Sequence, residues 1–280
     1  MGELIPLFPL SAPLFPGIVL QLDVFEPRYR RLVRDLVALP AGSDRRFFGV
    51  SAIRQGWEVE RISPAEALYD IGCTARLRSV DPQPDGTFRI VTVGGQRFRL
   101  LDVVVGEEPP YLQADVEWLA EEEAVAEAAA DRDGLSGASV GAVADAVARG
   151  SMEVLVRNVR DLFTRYVTEV AALRLGWDDE EDDRYGLDAP GMDDDDAERV
   201  GARTAELLAS VADDPRALSF LVASAALLTP EDRQALLAMS ATRRRLAAAS
   251  RLLRRELTLL ETLGAVPLPL RELPAPVAVN

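Results

Sequence analysis

The sequence predicts an α+β protein in which a small β domain precedes an α-helical bundle. Three observations carry that expectation. Through the first 120 positions apolar and polar residues alternate, the period of a strand with one buried face. From residue 151 apolar residues recur at i, i+3 and i+4, the spacing of an amphipathic helix. Between these regions, residues 121–150 are rich in Ala, Glu and Gly and read as a junction. The 280-residue chain is 48% hydrophobic and 28% charged, a globular composition with length for two modest domains.

The elements follow in order. Ile18, Leu20, Leu22 and Val24 alternate with Val19, Gln21 and Asp23, and Phe25 ends that strand pointing into the core. Cys73–Arg78, Phe88-Arg89-Ile90 and Phe98-Arg99-Leu100 repeat the theme, as do Leu112, Ala114, Val116 and Trp118. Asp85-Gly86 reads as a hairpin turn because glycine supplies the positive φ required; Gly94-Gly95 reads as a second reversal. Pro27 opens a helix over Arg28–Leu39 with Tyr29, Leu32, Val33 and Leu36 on one face. Ser63-Pro64-Ala65-Glu66 carries a capping-box pattern. In residues 151–265 the helical spacing runs from Met152 to Leu173. Asp214-Pro215 and Thr229-Pro230-Glu231-Asp232 then offer caps and first-turn prolines. Leu246, Ala249, Leu253, Leu257 and Leu260 mark a last helix, and the proline-broken tail 266–280 is expected to be extended.

Missing residue types narrow the chemistry. The chain has no histidine and no lysine, so all 31 basic residues are arginine. That removes histidine triads and metal sites, Schiff-base lysines, the phosphate-loop lysine and Ser–Lys dyads. Arginine stays protonated and cannot act as a general base. The chain is therefore expected not to be an enzyme and to carry no cofactor and no metal; a hydrolase built on carboxylates alone is the catalytic alternative. Cys73 is read as a buried small hydrophobe, and a single cysteine fits a reducing cytoplasm. The apolar run Leu4–Leu22 is broken by prolines and falls short of the ~20 residues of a membrane span.

The net charge of −15 is uneven: residues 121–200 hold 22 acids against 8 arginines. Asp178–Glu198 is so acidic that residues 177–197 read as an exposed, mobile loop. Its runs lack the alternating ligands and central glycine of a calcium loop. Arg243-Arg244-Arg245, Arg251, Arg254 and Arg255 on the last helix are its natural electrostatic opposite.

Six ordered segments then point to a family. Ile5-Pro6-Leu7-Phe8-Pro9-Leu10, Leu14-Phe15-Pro16-Gly17 and Phe25-Glu26-Pro27-Arg28-Tyr29-Arg30 resemble the N-terminal substrate-binding domain of the ATP-dependent protease Lon. So do Phe47-Phe48-Gly49-Val50, Ile71-Gly72-Cys73-Thr74-Ala75-Arg76 and Gly95-Gln96-Arg97-Phe98-Arg99. The resemblance covers roughly residues 1–120 and continues more faintly through Asp214-Pro215 and Thr229–Leu237. It implies a PUA-like β pseudo-barrel followed by a helical bundle, standing alone without the ATPase and protease domains. It also implies binding of unfolded or extended polypeptide, in protein quality control alongside a protease or chaperone.

The candidate contact residues are Leu14, Phe15, Trp57, Arg28 and Arg30. Leu14-Phe15-Pro16 is an apolar loop between strands; exposed, it would be a contact site, and tucked under the barrel it would be core. Trp57, after Gln55-Gly56, reads the same way. Arg28 and Arg30 would rim a groove or form a solvated helix face. Two alternatives stand beside polypeptide capture: a scaffold for one folded partner docking through the acidic loop, and RNA binding through Arg28, Arg30, Arg31, Arg34, Arg45 and Arg46. The overall acidity disfavours the latter.

Overall fold

A computed structural model describes residues 2–54, 66–119, 150–172 and 194–263. These fall into two compact units. The first holds residues 2–54, 66–119 and 230–241; the second holds 150–172, 194–229 and 242–263.

The first unit is a mixed sheet of six strands: β1 (Glu3–Leu10), β2 (Val19–Val24), β3 (Phe47–Ala52), β4 (Ile71–Pro82), β5 (Phe88–Val104) and β6 (Gln113–Trp118), with helix α1 (Pro27–Ala38) after β2. Its order is β2-β5-β4-β3-β1-β6, and β6 pairs back onto β5, so five strands close a ring with β2 outside it. All pairings are antiparallel except β1 with β3. β5 reaches three neighbours by dividing its length. Residues 88–93 face β2 and residues 98–104 face β6, while β4 lies along the other side.

The alternation forecasts most of this sheet. Ala114 and Val116 of β6 are buried, and Val24 is the deepest residue of β2. Tyr29, Leu32, Val33 and Leu36 bury one face of α1 against Val24, Phe48, Val50 and Ile90. Phe8 stacks on Tyr29 with ring centroids 4.0 Å apart. Asp85-Gly86 forms the β4–β5 turn: Gly86 has φ +81°, and Asp85 accepts from the Thr87 amide at 3.0 Å.

Four expectations need correction. Gly94-Gly95 is no reversal, because β5 runs straight through it. The glycines serve close approach instead: a Cβ on Gly94 would sit 2.0 Å from the Phe15 carbonyl oxygen. A register shift between Cys73/Ala75 and their β5 partners marks a bulge at the same place. Phe25 is 69% exposed, not core. The inward side chains of β2 are even-numbered, so the odd position at the strand's end turns outward. Residues 194–197 are helical rather than loop, since a helix begins at Asp194, where a run of carboxylates favours an N-terminal turn. The remainder of the acidic loop, the 63–65 part of the capping-box pattern, the junction 121–150 apart from residue 150, and the tail lie outside the described residues. The fourth correction concerns the domain division: Pro230–Ala238 is helical as forecast but belongs to the first unit.

In the second unit, α2 spans 150–172, α3 Asp194–Ser210, α4 Pro215–Ala225 and α6 Thr242–Leu263. The intervening α5 is Pro230–Ala238 of the first unit. The Asp214 side chain caps α4 by accepting from the Arg216 and Ala217 amides, with Pro215 in the first turn. Leu246, Ala249, Leu253, Leu257 and Leu260 of α6 are all buried. Asn158 of α2 donates to Ser250 at 2.9 Å and accepts from Arg254 at 3.1 Å. Arg245, forecast as a partner for the acidic loop, is instead fully buried. Its Nε donates to Ser219 at 2.7 Å, and its guanidinium lies 3.9 Å from the Phe220 ring centroid.

Candidate functional site

Two of the forecast contact residues are core. Leu14 is 5% and Phe15 1% exposed. The backbone of the Phe15 loop lies down on Gly94, and Gly17 N donates to Gly94 O at 2.8 Å. That closeness leaves the side chains no path to solvent. Leu14 joins the cluster around α1, and the Arg233 guanidinium of α5 lies 6.0 Å from the Phe15 ring centroid. Trp57 lies outside the described residues.

Arg28 and Arg30 both lie in the first turn of α1, where it follows β2, and reach different partners, Arg30 turning to the β4–β5 turn. Strand β2 ends at Val24, Phe25 projects, and Glu26 and Pro27 start the helix, the proline preset for the first turn. Arg28 donates from Nε to Glu26 at 2.9 Å and lies over the Tyr29 ring at 4.7 Å. Arg30 donates from Nη1 to the Gly86 carbonyl at 3.3 Å, while its Nε is enclosed with no hydrogen-bond partner among the described residues. Arg34 approaches the Phe88 ring at 5.9 Å. Phe25 is thus exposed just before a helix whose first arginines are already held in place.

The charges around this corner are largely paired. Arg31 spans Asp35 at 2.8 Å and Glu108 at 2.7 Å. Arg89 pairs with Asp23 at 3.0 Å across β2 and β5. Arg46 donates to the Val37 and Leu39 carbonyls, closing the end of α1. Arg76 pairs with Asp44 at 2.9 Å. Hydrogen bonds from Thr87 hold the Asp85 carboxyl below the usual range, with a smaller contribution from Arg30. Burial raises the Tyr29 phenol. Tyr111 donates to Asp35 at 3.1 Å and is pushed up to about 12, first by burial and then by that carboxylate. Such exposed pairs each contribute ~0–1 kcal/mol, so they order side chains more than they stabilise the fold.

Sequence reasoning missed two features. Phe25 was read as core although the alternation of β2 already placed it outward. Arg97 is fully buried, and its Nη1 donates to the Leu237 and Met239 carbonyls at 2.7 and 3.0 Å, capping the end of α5. Gln234 of α5 adds a 2.8 Å bond to the Ile71 carbonyl. An arginine next to an inward phenylalanine was the only local signal. Elsewhere, an open cleft between α2 and α3 is lined mainly by Glu153, Arg157, Arg160 and Asp161 with Val156 and Leu208. Among the described residues no group of three or more His, Cys, Asp or Glu could hold a metal ion, and no helix is long and apolar enough to cross a membrane.

Comparison with known families decides the assignment. The model of the ATP-dependent protease La (LON) substrate-binding domain matches residues 4–255. The chain belongs to the LON substrate-binding domain family. Lon protease 1 of Herpetosiphon aurantiacus is 26% identical over 256 residues, which is 90% of this chain and 24% of that protein. Lon protease of Flavobacterium johnsoniae is 30% identical over 119 residues, 42% of this chain and 14% of that protein. The LON-family chain thus spans a minor part of these relatives' length. The N-terminal domain of the Mycobacterium avium complex Lon protease has the same fold, with TM-score 0.51 at 14% identity, covering 90% of this chain and 98% of that one. The family match runs through both compact units of the LON chain.

Proposed function

We propose that this LON-family chain is a non-catalytic module that binds unfolded or extended polypeptide in protein quality control, in the cytoplasm. Its closed five-strand ring supports the description of the first unit as a PUA-like pseudo-barrel, and the interlocked α2, α4 and α6 support the description of the second as a helical bundle. The observation that carries the reading is Phe25, 69% exposed just before the helix that bears the held arginines Arg28, Arg30 and Arg34. An exposed aromatic ringed by polar groups is the common anatomy of a protein-binding hot spot. The neighbouring arginines are engaged with carboxylates, carbonyls and rings, which favours a protein ligand over a nucleic acid.

The test is a fluorescence anisotropy titration of the full chain against a reduced, carboxymethylated polypeptide that cannot fold, with the same polypeptide in its folded, disulfide-bonded form as comparison. Saturable binding of the unfolded form alone is expected. Equal affinity for both forms, or binding to neither, contradicts the reading.

A further inference from the structure

We propose that β2 is a docking edge to which an extended client segment adds as a further strand, its main chain hydrogen-bonded to the outward backbone of Val19, Gln21 and Asp23. This rests on the polypeptide-binding reading above and names how the contact is made.

The sheet topology supplies the edge. β2 is the terminal strand of its sheet and pairs with β5 alone, while ring closure is made by β6 further along β5. Two hydrogen bonds set its polarity. Gly94 N donates to Ile18 O at 2.8 Å, and Thr92 Oγ1 donates to Leu20 O at 3.1 Å, so the even-numbered residues turn their backbone groups toward β5. In an antiparallel ladder bonded and non-bonded pairs alternate. The amides and carbonyls of Val19, Gln21 and Asp23 therefore face away from the sheet, and no described residue is bonded to them.

Buried edges are covered and exposed ones are usually guarded by charged side chains, proline or a bulge. β2 has no proline and no bulge, and one charge only. Its register with β5 is unbroken from Val19↔Val93 to Val24↔Phe88. Its single charge, Asp23, is held sideways by Arg89 at 3.0 Å. Val19 is 58% exposed, and Gln21 and Asp23 are exposed as well.

The chemistry of the edge selects its occupant. Donors and acceptors alternating at strand spacing are matched by another extended main chain, not by a side-chain patch or a phosphate. The half-buried Leu20 and Leu22 lie on the core-side face of β2, next to where alternate client side chains would lie, so that face of the client is apolar. Phe25, just past the strand's end, stands exposed on the opposite, outward side with Val19. The six residues of β2 span ~20 Å, enough for a segment of about six residues. Unfolded chains present such segments with free backbone groups; folded proteins have them paired.

The test uses the full chain and a fluorescein-labelled peptide of alternating apolar residues, beside the same peptide N-methylated throughout its core. N-methylation removes the client's backbone donors and keeps its side chains. On the protein side, Gln21→Pro removes an outward amide without removing a ladder bond, because that N–H faces away from β5; Gln21→Ala changes only the side chain. Expected are wild-type affinity for Gln21→Ala, a loss of about tenfold or more for Gln21→Pro with its melting temperature retained, and a similar loss for the N-methylated peptide on the wild-type chain. Should Gln21→Pro fail to fold, the N-methylated peptide carries the test alone. Undiminished binding of that peptide overturns the edge proposal and leaves polypeptide binding standing. Failure of the wild-type chain to bind any unfolded polypeptide overturns both.

Discussion

Phe15 and Phe25 flank the same strand, each within two residues of a proline, and they meet opposite fates. Phe15 is sealed with its loop backbone pressed onto Gly94, whereas Phe25 stands 69% exposed at the mouth of α1. Residue type and local motif do not separate them. Two geometric facts do: the parity of β2, which turns odd positions outward, and the missing Cβ at Gly94, which lets a neighbouring segment lie flat on the sheet. An aromatic flanking this strand is core where the backbone beneath it is bare, and surface where it takes the outward parity.

That contrast can be broken in order of expected effect. Phe15→Ala should destabilise the chain by about 3–5 kcal/mol in chemical denaturation, the cost of emptying a buried aromatic site. A loss below about 1 kcal/mol would return Phe15 to the surface. Gly94→Val, which drives a side chain into the Phe15 carbonyl, should cost about 1–3 kcal/mol and be rescued by no solvent condition; a neutral outcome would mean the loop does not rest there.

Tyr111 sharpens the buried side, since it shares a cluster with Leu14. Tyr111→Phe should cost about 1 kcal/mol near neutral pH through the lost bond to Asp35. Its phenol is raised from 10 to about 12 in the folded chain. Because the folded state favours the protonated form, the associated stability is complete below pH 10 and is lost as pH rises toward about 12. The wild type should lose more stability than Tyr111→Phe across that window, read by denaturation at stepped alkaline pH; parallel curves would contradict it. The smallest change in stability belongs to Phe25→Ala, expected within about 0.5 kcal/mol of the wild type.

Much of the fold is legible in the sequence, and its failures have a common cause. Local period reports which face of an element is apolar, and it identified the buried side of α1, the alternation of β6 and the apolar seam of α6. It reports nothing about which distant element will cover that face. The helix Pro230–Ala238 was legible as a helix from its proline and first-turn acids, yet its membership in the first unit depends on Arg97 and Gln234, residues whose partners are set by tertiary contact. Gly94-Gly95 carried the signal of a turn because glycine marks both reversals and close approaches. Of the candidate contact residues, Arg28 is exposed and Arg30 half-buried on α1, while Leu14 and Phe15 are core, because local pattern does not show which backbone lies under a loop; Phe25, one residue past β2, follows the outward parity of that strand's odd positions.

The central claim is that the exposed corner, not the sealed loop, captures unfolded polypeptide. It is tested most directly by titrating the carboxymethylated, unfolded polypeptide against the wild type and Phe25→Ala side by side, with a denaturation curve for each. The expected result is a loss of affinity of about tenfold for Phe25→Ala with the two denaturation curves superimposed. Equal affinities would contradict the claim.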